Sequence, residues 1–189
     1  MNTLAWDDVV RALTQWREQD WLRPLDVAFA RFMGTLAVDA HGHSPGQGEA
    51  VFLQPDMLAA QQADATVTLL AAVLSHLEGR GHTCLALDEL ARSPAALLAW
   101  PVAGMQAWAD LAGAASATQL AAWQAALRGS PVVDIDGQGD GHAPLVLHGD
   151  RLYLRRYWRQ ERAVAWQVSR RAAVAMPVPA ARVKGVAEL

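Results

Sequence analysis

Residues 144–168 read PLVLHGDRLYLRRYWRQERAVAWQV, and the pattern in this stretch changes from that of strands to that of a helix. Two short apolar runs, residues 145–147 and 152–154, flank the turn-forming sequence HGD at residues 148–150. Apolar runs joined by a tight glycine-containing turn are typical of a β-hairpin. The stretch therefore predicts one small β-hairpin near residues 145–154.

The second half of the same stretch predicts a final helix over residues 157–173. Val164, Ala165 and Val168 have the spacing of an apolar helical face, so we expect them to face inward. The proline-containing residues 174–189 are then expected to form a frayed tail or the start of a linker to a further domain.

Upstream of the hairpin, apolar residues recur at helical spacing over most of the chain. The predicted helices cover residues 4–19, a segment that opens at Pro24, residues 65–78, residues 88–91, and residues 94–127 with a break near 113–116. In the first helix Thr3 is the expected cap, and in the second the expected buried stripe is Val27, Ala30, Met33 and Leu36. The fold class predicted for residues 1–173 is therefore mostly α, a helical domain with one small hairpin.

Two glycine-rich stretches, residues 39–50 and 130–143, have the composition of exposed loops, and we expect both to be mobile. Residues 82–87 could form a short extended piece.

Composition places the chain among globular proteins, with 52% hydrophobic and 19% charged residues in a length of 189. No apolar run has the length of a membrane span, and the N-terminus has no cationic leader, so we expect neither a membrane association nor a signal peptide. Cys84 is the single cysteine and cannot form an internal disulfide. A reducing compartment, the cytoplasm, is the expected location.

Charge is distributed unevenly. Residues 1–150 contain 7 Arg and 17 Asp or Glu, a balance of −10, whereas residues 151–189 contain 9 Arg or Lys and 2 acids, a balance of +7. Such a division indicates either an interaction surface or a fold whose two parts attract each other.

The arginines that follow the predicted turn are the first candidate site. The cluster consists of Arg151, Arg155, Arg156, Arg159 and Arg162, and only Glu161 interrupts it. A solvated helix face and pairing with the upstream acids are the structural explanations. The functional ones are docking on an acidic partner and contact with DNA phosphates. Because the domain as a whole is acidic, internal or partner pairing is favoured over DNA.

Tryptophans form the second candidate set, since the chain contains eight of them. Five have the spacing of apolar helical stripes, which favours core packing: Trp6, Trp16, Trp100, Trp108 and Trp123. Trp21 precedes a predicted helix start and Trp158 lies among the arginines. These two are the better candidates for a partner- or DNA-binding surface, because tryptophan and arginine are enriched at the energetic centres of interfaces. Core packing is the alternative for each of them.

The sequence contains only incomplete patterns for a metal site or a catalytic nucleophile. Residues 134–145 begin like a calcium loop, but Leu145 stands at the twelfth position where a bidentate Glu is needed. A zinc site at Cys84 lacks a second cysteine, and the histidines at 41, 43, 76 and 82 are better explained as loop or helix-end residues. No catalytic residue, metal or cofactor is therefore predicted.

Three segments resemble the N-terminal region of RecD-type proteins, the alpha subunits of exodeoxyribonuclease V. LRPLDVAF at residues 22–29 is similar to an early helix entry in that family, and VTLLAAVLSHLEGRGHTCLAL at residues 67–87 resembles its central stretch. The hairpin and helix of residues 144–168 resemble a third. All three occur in the family's order and spacing.

The resemblance implies a subunit of the RecBCD helicase-nuclease, whose N-terminal domain precedes a 5′-to-3′ motor and contacts a RecC-type subunit. The motor's phosphate-binding loop requires Gly-Lys-Ser/Thr, whereas the only lysine, Lys184, is followed by Gly185. We therefore expect a non-catalytic domain that anchors the motor to a RecC-type partner. The rival hypothesis is a module that binds single-stranded DNA through the arginine cluster, weakly when isolated.

Overall fold

The computed structural model describes residues 4–42, 55–113 and 116–173. These residues form eight helices and four short strands. In chain order they are α1 (Trp6–Glu18), α2 (Pro24–Gly42), α3 (Pro55–Glu78), β1 (Cys84–Ala86), α4 (Leu87–Arg92), α5 (Pro94–Leu98), α6 (Val102–Ala112), α7 (Ala117–Gly129), β2 (Val133–Ile135), β3 (Leu145–His148), β4 (Arg151–Leu154) and α8 (Arg155–Ala172). The predicted mostly helical class is confirmed.

Helix α3 is the centre of the fold. Its residues 67–74 include no polar side chain except Thr68, and all of them are buried. A helix that is apolar on every side must be surrounded, and α1, α2, α7 and the sheet pack around it. The chain folds about α3 because burying this continuous apolar surface is the largest favourable term available to it.

The hairpin predicted from the sequence is confirmed as β3 and β4, with His148 paired to Arg151 next to the turn. It lies at the centre of a four-stranded sheet of order β1-β4-β3-β2. Strand β1 is antiparallel to β4, and β2 is parallel to β3. The sheet is larger than the sequence predicts, because β2 lies within the stretch 130–143 that its glycine and aspartate content marks as a loop.

The aromatic core lies between α1, α6 and α7. Trp16 meets Trp100 edge-on with ring centroids 5.0 Å apart, and Trp108 meets Trp123 in the same way at 6.3 Å. These four rings are buried, and Trp6 packs against the same core while partly exposed. Core packing is thus confirmed for the five tryptophans to which the sequence assigns it.

Several helix boundaries differ from the predicted ones. α2 continues to Gly42, so the predicted loop at residues 39–42 is wrong, and α3 begins ten residues before the predicted start at residue 65. The segment 94–112 is two helices, because Ala99 adopts a left-handed conformation (φ 52°) ahead of Pro101. The loop predicted at residues 43–50, the cap Thr3 and the tail 174–189 lie outside the described residues.

The buried stripe predicted for α2 is confirmed at Val27, Ala30 and Met33, whereas Leu36 is partly exposed and Ala37 is buried in its place. The inward face predicted for α8 is wrong. Val164 and Val168 are 63% and 60% exposed, and Ala165 is exposed too. The apolar spacing is present, but no part of the described domain lies against it.

Candidate partner-binding surface

Trp158 fixes the start of α8 on the sheet. Its ring lies 5.3 Å from that of Tyr153 and 4.8 Å from that of His148, measured between centroids. The indole also lies against Gly137, whose φ of 67° favours glycine and where a Cβ would collide with the indole nitrogen. The side chain is only 8% exposed, so this candidate interface residue packs within the domain.

Arg155 forms an ion pair inside the fold. Its guanidinium lies 2.6 Å from the Asp134 carboxylate and also donates to the carbonyl of Ala143. The amide of Gly139 donates to the same carboxylate at 2.9 Å. Burial would raise the pKa of Asp134, but these hydrogen bonds, led by that of Arg155, hold it below the usual value. This cation therefore has an internal acid as its partner.

Arg156 and Tyr157 connect α8 to the end of α3. Both donate to Glu78, the guanidinium at 2.9 Å and the phenol at 2.8 Å. Arg23 lies 3.9 Å from the other oxygen of the same carboxylate. One carboxylate thus serves two guanidinium groups, and Arg156 remains 61% exposed.

Arg23 also holds the buried carboxylate of Asp26, at 2.7 Å, and Ser75 donates to that carboxylate at the same distance. Burial alone would raise the pKa of Asp26, whereas the hydrogen bonds from these two side chains lower it below its ordinary value. The junction of α2 and α3 is fixed by this network, because an unpaired carboxylate at this depth would be costly.

The remaining arginines of the cluster are solvated. Arg159 reaches the carbonyl of Gly141 at 3.3 Å, and the guanidinium of Arg162 lies 5.5 Å from the centroid of the Trp158 ring. Arg151 is exposed on β4, and the hydrogen bond with Tyr153 raises its pKa above the ordinary value. Of the five arginines in this cluster, only Arg155 is therefore mostly buried, and the other four are exposed.

Every residue of α8 from Arg159 onward is exposed. We use "distal α8" for residues 163–172 and "proximal α8" for residues 155–162. Distal α8 carries Val164, Trp166 and Val168, which are 63%, 57% and 60% exposed. Arg170 lies over the Trp166 ring, 5.4 Å from its centroid. Trp166 is absent from the sequence-derived candidates, although its place four residues from both Arg162 and Arg170 could have indicated it.

Two different faces can be distinguished on α8. Arg159, Arg162, Trp166 and Arg170 follow one another at intervals of three or four residues and share one face. Val164 and Val168 share another, which is also the face of Tyr157. A surface of this kind can bury valines against an apolar partner while its arginines meet carboxylates.

A scan against family models matches residues 18–153 to the N-terminal domain of RecD, a subunit of the RecBCD enzyme. This range covers more than half of the chain. The chain belongs to the RecD N-terminal domain family. No curated protein and no solved structure matches it.

The family match extends from the end of α1 through the hairpin of the RecD-type domain and stops before α8. Trp21 and Arg151 are inside the matched range, whereas Trp158 and the other arginines of the candidate site lie beyond it. Trp21 is half-buried, and its ring stacks on Trp100 with a centroid separation of 6.1 Å. The RecD match therefore concerns the part of the domain that precedes α8. The role of α8 depends on the geometry of that helix itself.

Three of the residues considered for metal binding or nucleophilic chemistry, Asp134, Asp136 and Cys84, have other surroundings in the RecD-type domain. His43 and the side chain of His41 lie outside the described part of the chain. Asp134 pairs with Arg155, and Asp136 lies 2.7 Å from His148. Burial raises the pKa of the Cys84 thiol, which disfavours the reactive thiolate. Among the described residues no three His, Cys, Asp or Glu side chains converge as metal ligands would.

Within the described ranges, no helix is both long enough and apolar enough to cross a bilayer.

Proposed function

We propose that this domain is the non-catalytic anchor of a RecD-like 5′-to-3′ helicase subunit and attaches the motor to a RecC-type subunit. The observation that carries the proposal is the exposure of Val164, Trp166 and Val168 on a helix whose distal half is exposed at every residue. Exposed apolar groups that cluster on one element mark interaction sites. Distal α8 is the docking helix in this proposal.

The charge of α8 indicates which chemical groups the partner surface would carry. Arg155 is neutralised internally, and Arg156 shares Glu78, whereas Arg159, Arg162 and Arg170 form no ion pair with any described carboxylate. The arginine face and the valine face lie on opposite sides of α8, because successive residues are about 100° apart around a helix. The partner would therefore have to enclose the helix in a groove, with an apolar wall against the valines and carboxylates against the arginines. Tryptophan and arginine at the centre of such a contact would carry much of its energy.

A single-stranded DNA contact is the second candidate. The exposed ring of Trp166 between arginines is the observation that favours it, because bases stack on aromatic rings while guanidinium groups hold phosphates. The valine face supports the protein partner instead, since a DNA contact through stacked bases and phosphates would leave these valines exposed to water. We rank the partner first and expect DNA binding by the isolated domain to be weak.

The proposal assigns no chemistry to this chain. Gly-Lys-Ser/Thr, the element that cradles a nucleotide phosphate in the family's motor, does not occur in the sequence. We expect isothermal titration calorimetry to detect no ATP binding at micromolar concentration, and purified protein to show no ATP turnover. The expected location of the protein is the cytoplasm, where the complex would bind DNA ends.

The docking proposal is tested with a purified RecC-type subunit from the same organism. Replacing Trp166 with Ala should raise the dissociation constant at least 10-fold, the effect of losing an interface hot spot, and leave the melting temperature unchanged. Val102→Ser is the matched control, because Val102 is 87% exposed on α6, outside α8. Equal affinity of the Trp166 variant and the wild-type protein would contradict the proposal.

A further inference from the structure

Glu161 is the only acidic residue of α8, a helix that contains six arginines. Its carboxylate accepts a hydrogen bond of 2.6 Å from the hydroxyl of Thr83. Thr83 lies immediately before β1 and is 78 residues away in sequence, so the bond joins α8 to a different part of the domain. Neither the proposed docking nor the anchoring by Trp158 accounts for this contact.

The bond lies further along α8 than the main anchors of the helix. Arg155, Tyr157 and Trp158 all belong to the first turn. Glu161 is one turn further on, and every described residue of α8 after it is exposed. The bond with Thr83 therefore holds α8 at the border between its anchored and its exposed part.

A second contact holds the helix at the same level. The guanidinium of Arg159 donates to the carbonyl of Gly141 at 3.3 Å. Residues 159 and 161 are two positions apart, which is about 200° around a helix, so the two bonds act on opposite sides of α8. The bond from Thr83 is the shorter one and has a carboxylate as its acceptor, which makes it the stronger of the two.

A small tilt of the helix would have a large effect at its far end. Eleven residues separate Glu161 from the end of α8 at Ala172, a length of about 16 Å in a helix. A tilt of about 10° around Glu161 would move that end by about 3 Å. The groups of a binding site have to be held within about 0.5 Å and 10–20° of their productive geometry. The direction of α8 therefore matters for the side chains that distal α8 presents to a partner.

We infer that Thr83 is a positioning residue for the docking of α8. Its hydroxyl holds Glu161 and thereby fixes the direction in which distal α8 leaves the sheet. A helix that is already held in its binding direction loses less conformational entropy when a partner encloses it, so the bond strengthens docking without touching the partner. The inference deepens the proposed function and rests on it, because only a docking helix needs a fixed direction.

An ordinary surface hydrogen bond is the alternative explanation. Thr83 and Glu161 are both exposed, and a single hydrogen bond contributes only modestly to stability. Under both explanations the loss of the bond should change the melting temperature very little. They differ in the direction of distal α8, which depends on Thr83 only if this residue has the positioning role.

Residual dipolar couplings of the backbone amides, recorded on the whole isotope-labelled chain, measure this direction. In the wild-type protein we expect the couplings of distal α8 to fit the same alignment as those of α3. Thr83→Val replaces the hydroxyl with a methyl group, and averaging over several directions should reduce the couplings of distal α8 to about half. Thr83→Ser keeps the hydroxyl and should restore them. Thr118→Val is the matched control, because Thr118 is an exposed threonine on α7.

The affinity for the purified RecC-type subunit, measured by calorimetry, connects direction with docking. Thr83→Val should raise the dissociation constant about 3-fold, whereas Thr83→Ser should bind like the wild-type protein. The effect of Thr83→Val should become smaller in a Trp166→Ala background, because a helix without this anchor gains less from the correct direction. Additive effects of the two substitutions would mean that Thr83 itself contacts the partner, and they would overturn the positioning role.

The two measurements separate the inference from the proposed function. Couplings that are unchanged in Thr83→Val, or already averaged in the wild-type protein, overturn the inference. If the couplings fall and the affinity does not, the inference is overturned as well, while the proposed function, tested by Trp166→Ala, stands. If the wild-type chain does not bind the RecC-type subunit at all, the proposed function fails and the inference fails with it. Reduced couplings together with weaker binding that Thr83→Ser restores support the inference.

Discussion

Both halves of α8 contain a tryptophan and arginines, and these residue types have different surroundings in the two halves. Proximal α8 is fastened by Trp158 on the sheet, by Arg155 on Asp134 and by Tyr157 on Glu78. Distal α8 has comparable residue types, including another tryptophan and two arginines, and all of them are exposed. For the residue types that both halves contain, position relative to the sheet decides which side chains stabilise the fold and which are available to a partner.

The same contrast applies to individual arginines. Arg155 and Arg159 are four residues apart, but only Arg155 reaches a carboxylate. A pair that is mostly buried couples to folding, whereas an exposed cation is screened by water. Substitutions at the anchored residues Arg155, Tyr157 and Trp158 should therefore affect stability, whereas substitutions at the exposed residues from Arg159 onward should affect binding.

Trp158 and Trp166 provide the largest contrast. Trp158→Ala should lower the free energy of unfolding by about 3 kcal/mol, because it removes a buried aromatic ring and leaves a cavity on the sheet. Trp166→Ala should change it by less than about 0.5 kcal/mol, as expected for an exposed position. Urea denaturation followed by circular dichroism measures both. Equal losses from the two substitutions would show that distal α8 is packed in solution.

Arg155 and Arg159 provide the next contrast. Arg155→Ala leaves Asp134 without its main partner in a site where the carboxylate side chain is 4% exposed, and we expect a loss of about 2–3 kcal/mol. Arg159→Ala should cost less than about 0.5 kcal/mol. Thermal and urea unfolding of the two variants give the comparison. If Arg155→Ala were as mild as Arg159→Ala, the ion pair would contribute little to folding.

Acid sensitivity follows from the same pair. The pKa of Asp134 is lowered in the folded state, so its contribution to stability is present above the ordinary aspartate pKa of about 3.9 and is lost as the pH falls from about 5 through the folded value. Arg155→Ala removes the hydrogen bond that does most to lower this pKa. We therefore expect the melting temperature of the variant to fall less steeply than that of the wild-type protein between pH 6 and 3. Parallel curves would contradict this coupling.

The parts of the fold that the sequence predicts correctly are those with long or tightly spaced local signals. The hairpin has its turn between two apolar runs, and the α3 run is apolar throughout, so local pattern and tertiary packing agree there. Strand β2 was missed because three residues in a glycine-rich context give no periodicity. Its pairing with β3 is a non-local contact that joins segments about twelve residues apart.

The candidate site shows the same limit. Arginine spacing identifies the cluster, but it cannot tell that Asp134 lies against Arg155 while Arg159 has no carboxylate, since Asp134 is on β2, 21 residues before Arg155. The apolar spacing of Val164 and Val168 predicts burial, and the sequence does not reveal that the sheet ends before reaching them.

The smallest expected effect concerns the free arginines, and it decides between the two kinds of partner. The double variant Arg159→Gln/Arg170→Gln should leave stability unchanged within about 0.5 kcal/mol, because both side chains are exposed. If the exposed part of α8, from Arg159 onward, docks on an acidic protein surface, the variant should bind the RecC-type subunit about 3- to 10-fold more weakly at low salt, and the difference should shrink as salt screens the charges. Any affinity for single-stranded DNA should be weak in the wild-type protein at physiological salt.

If the helix is instead a DNA contact, affinity for an oligonucleotide should fall steeply with salt in the wild-type protein, and the slope should become shallower in the variant because two phosphate contacts are lost. Val164→Ser/Val168→Ser distinguishes the cases further, since it should weaken docking on the protein and leave an oligonucleotide complex unaffected. A variant set in which the arginines alter DNA binding, and the valines alter nothing, would overturn the ranking of the partner over DNA.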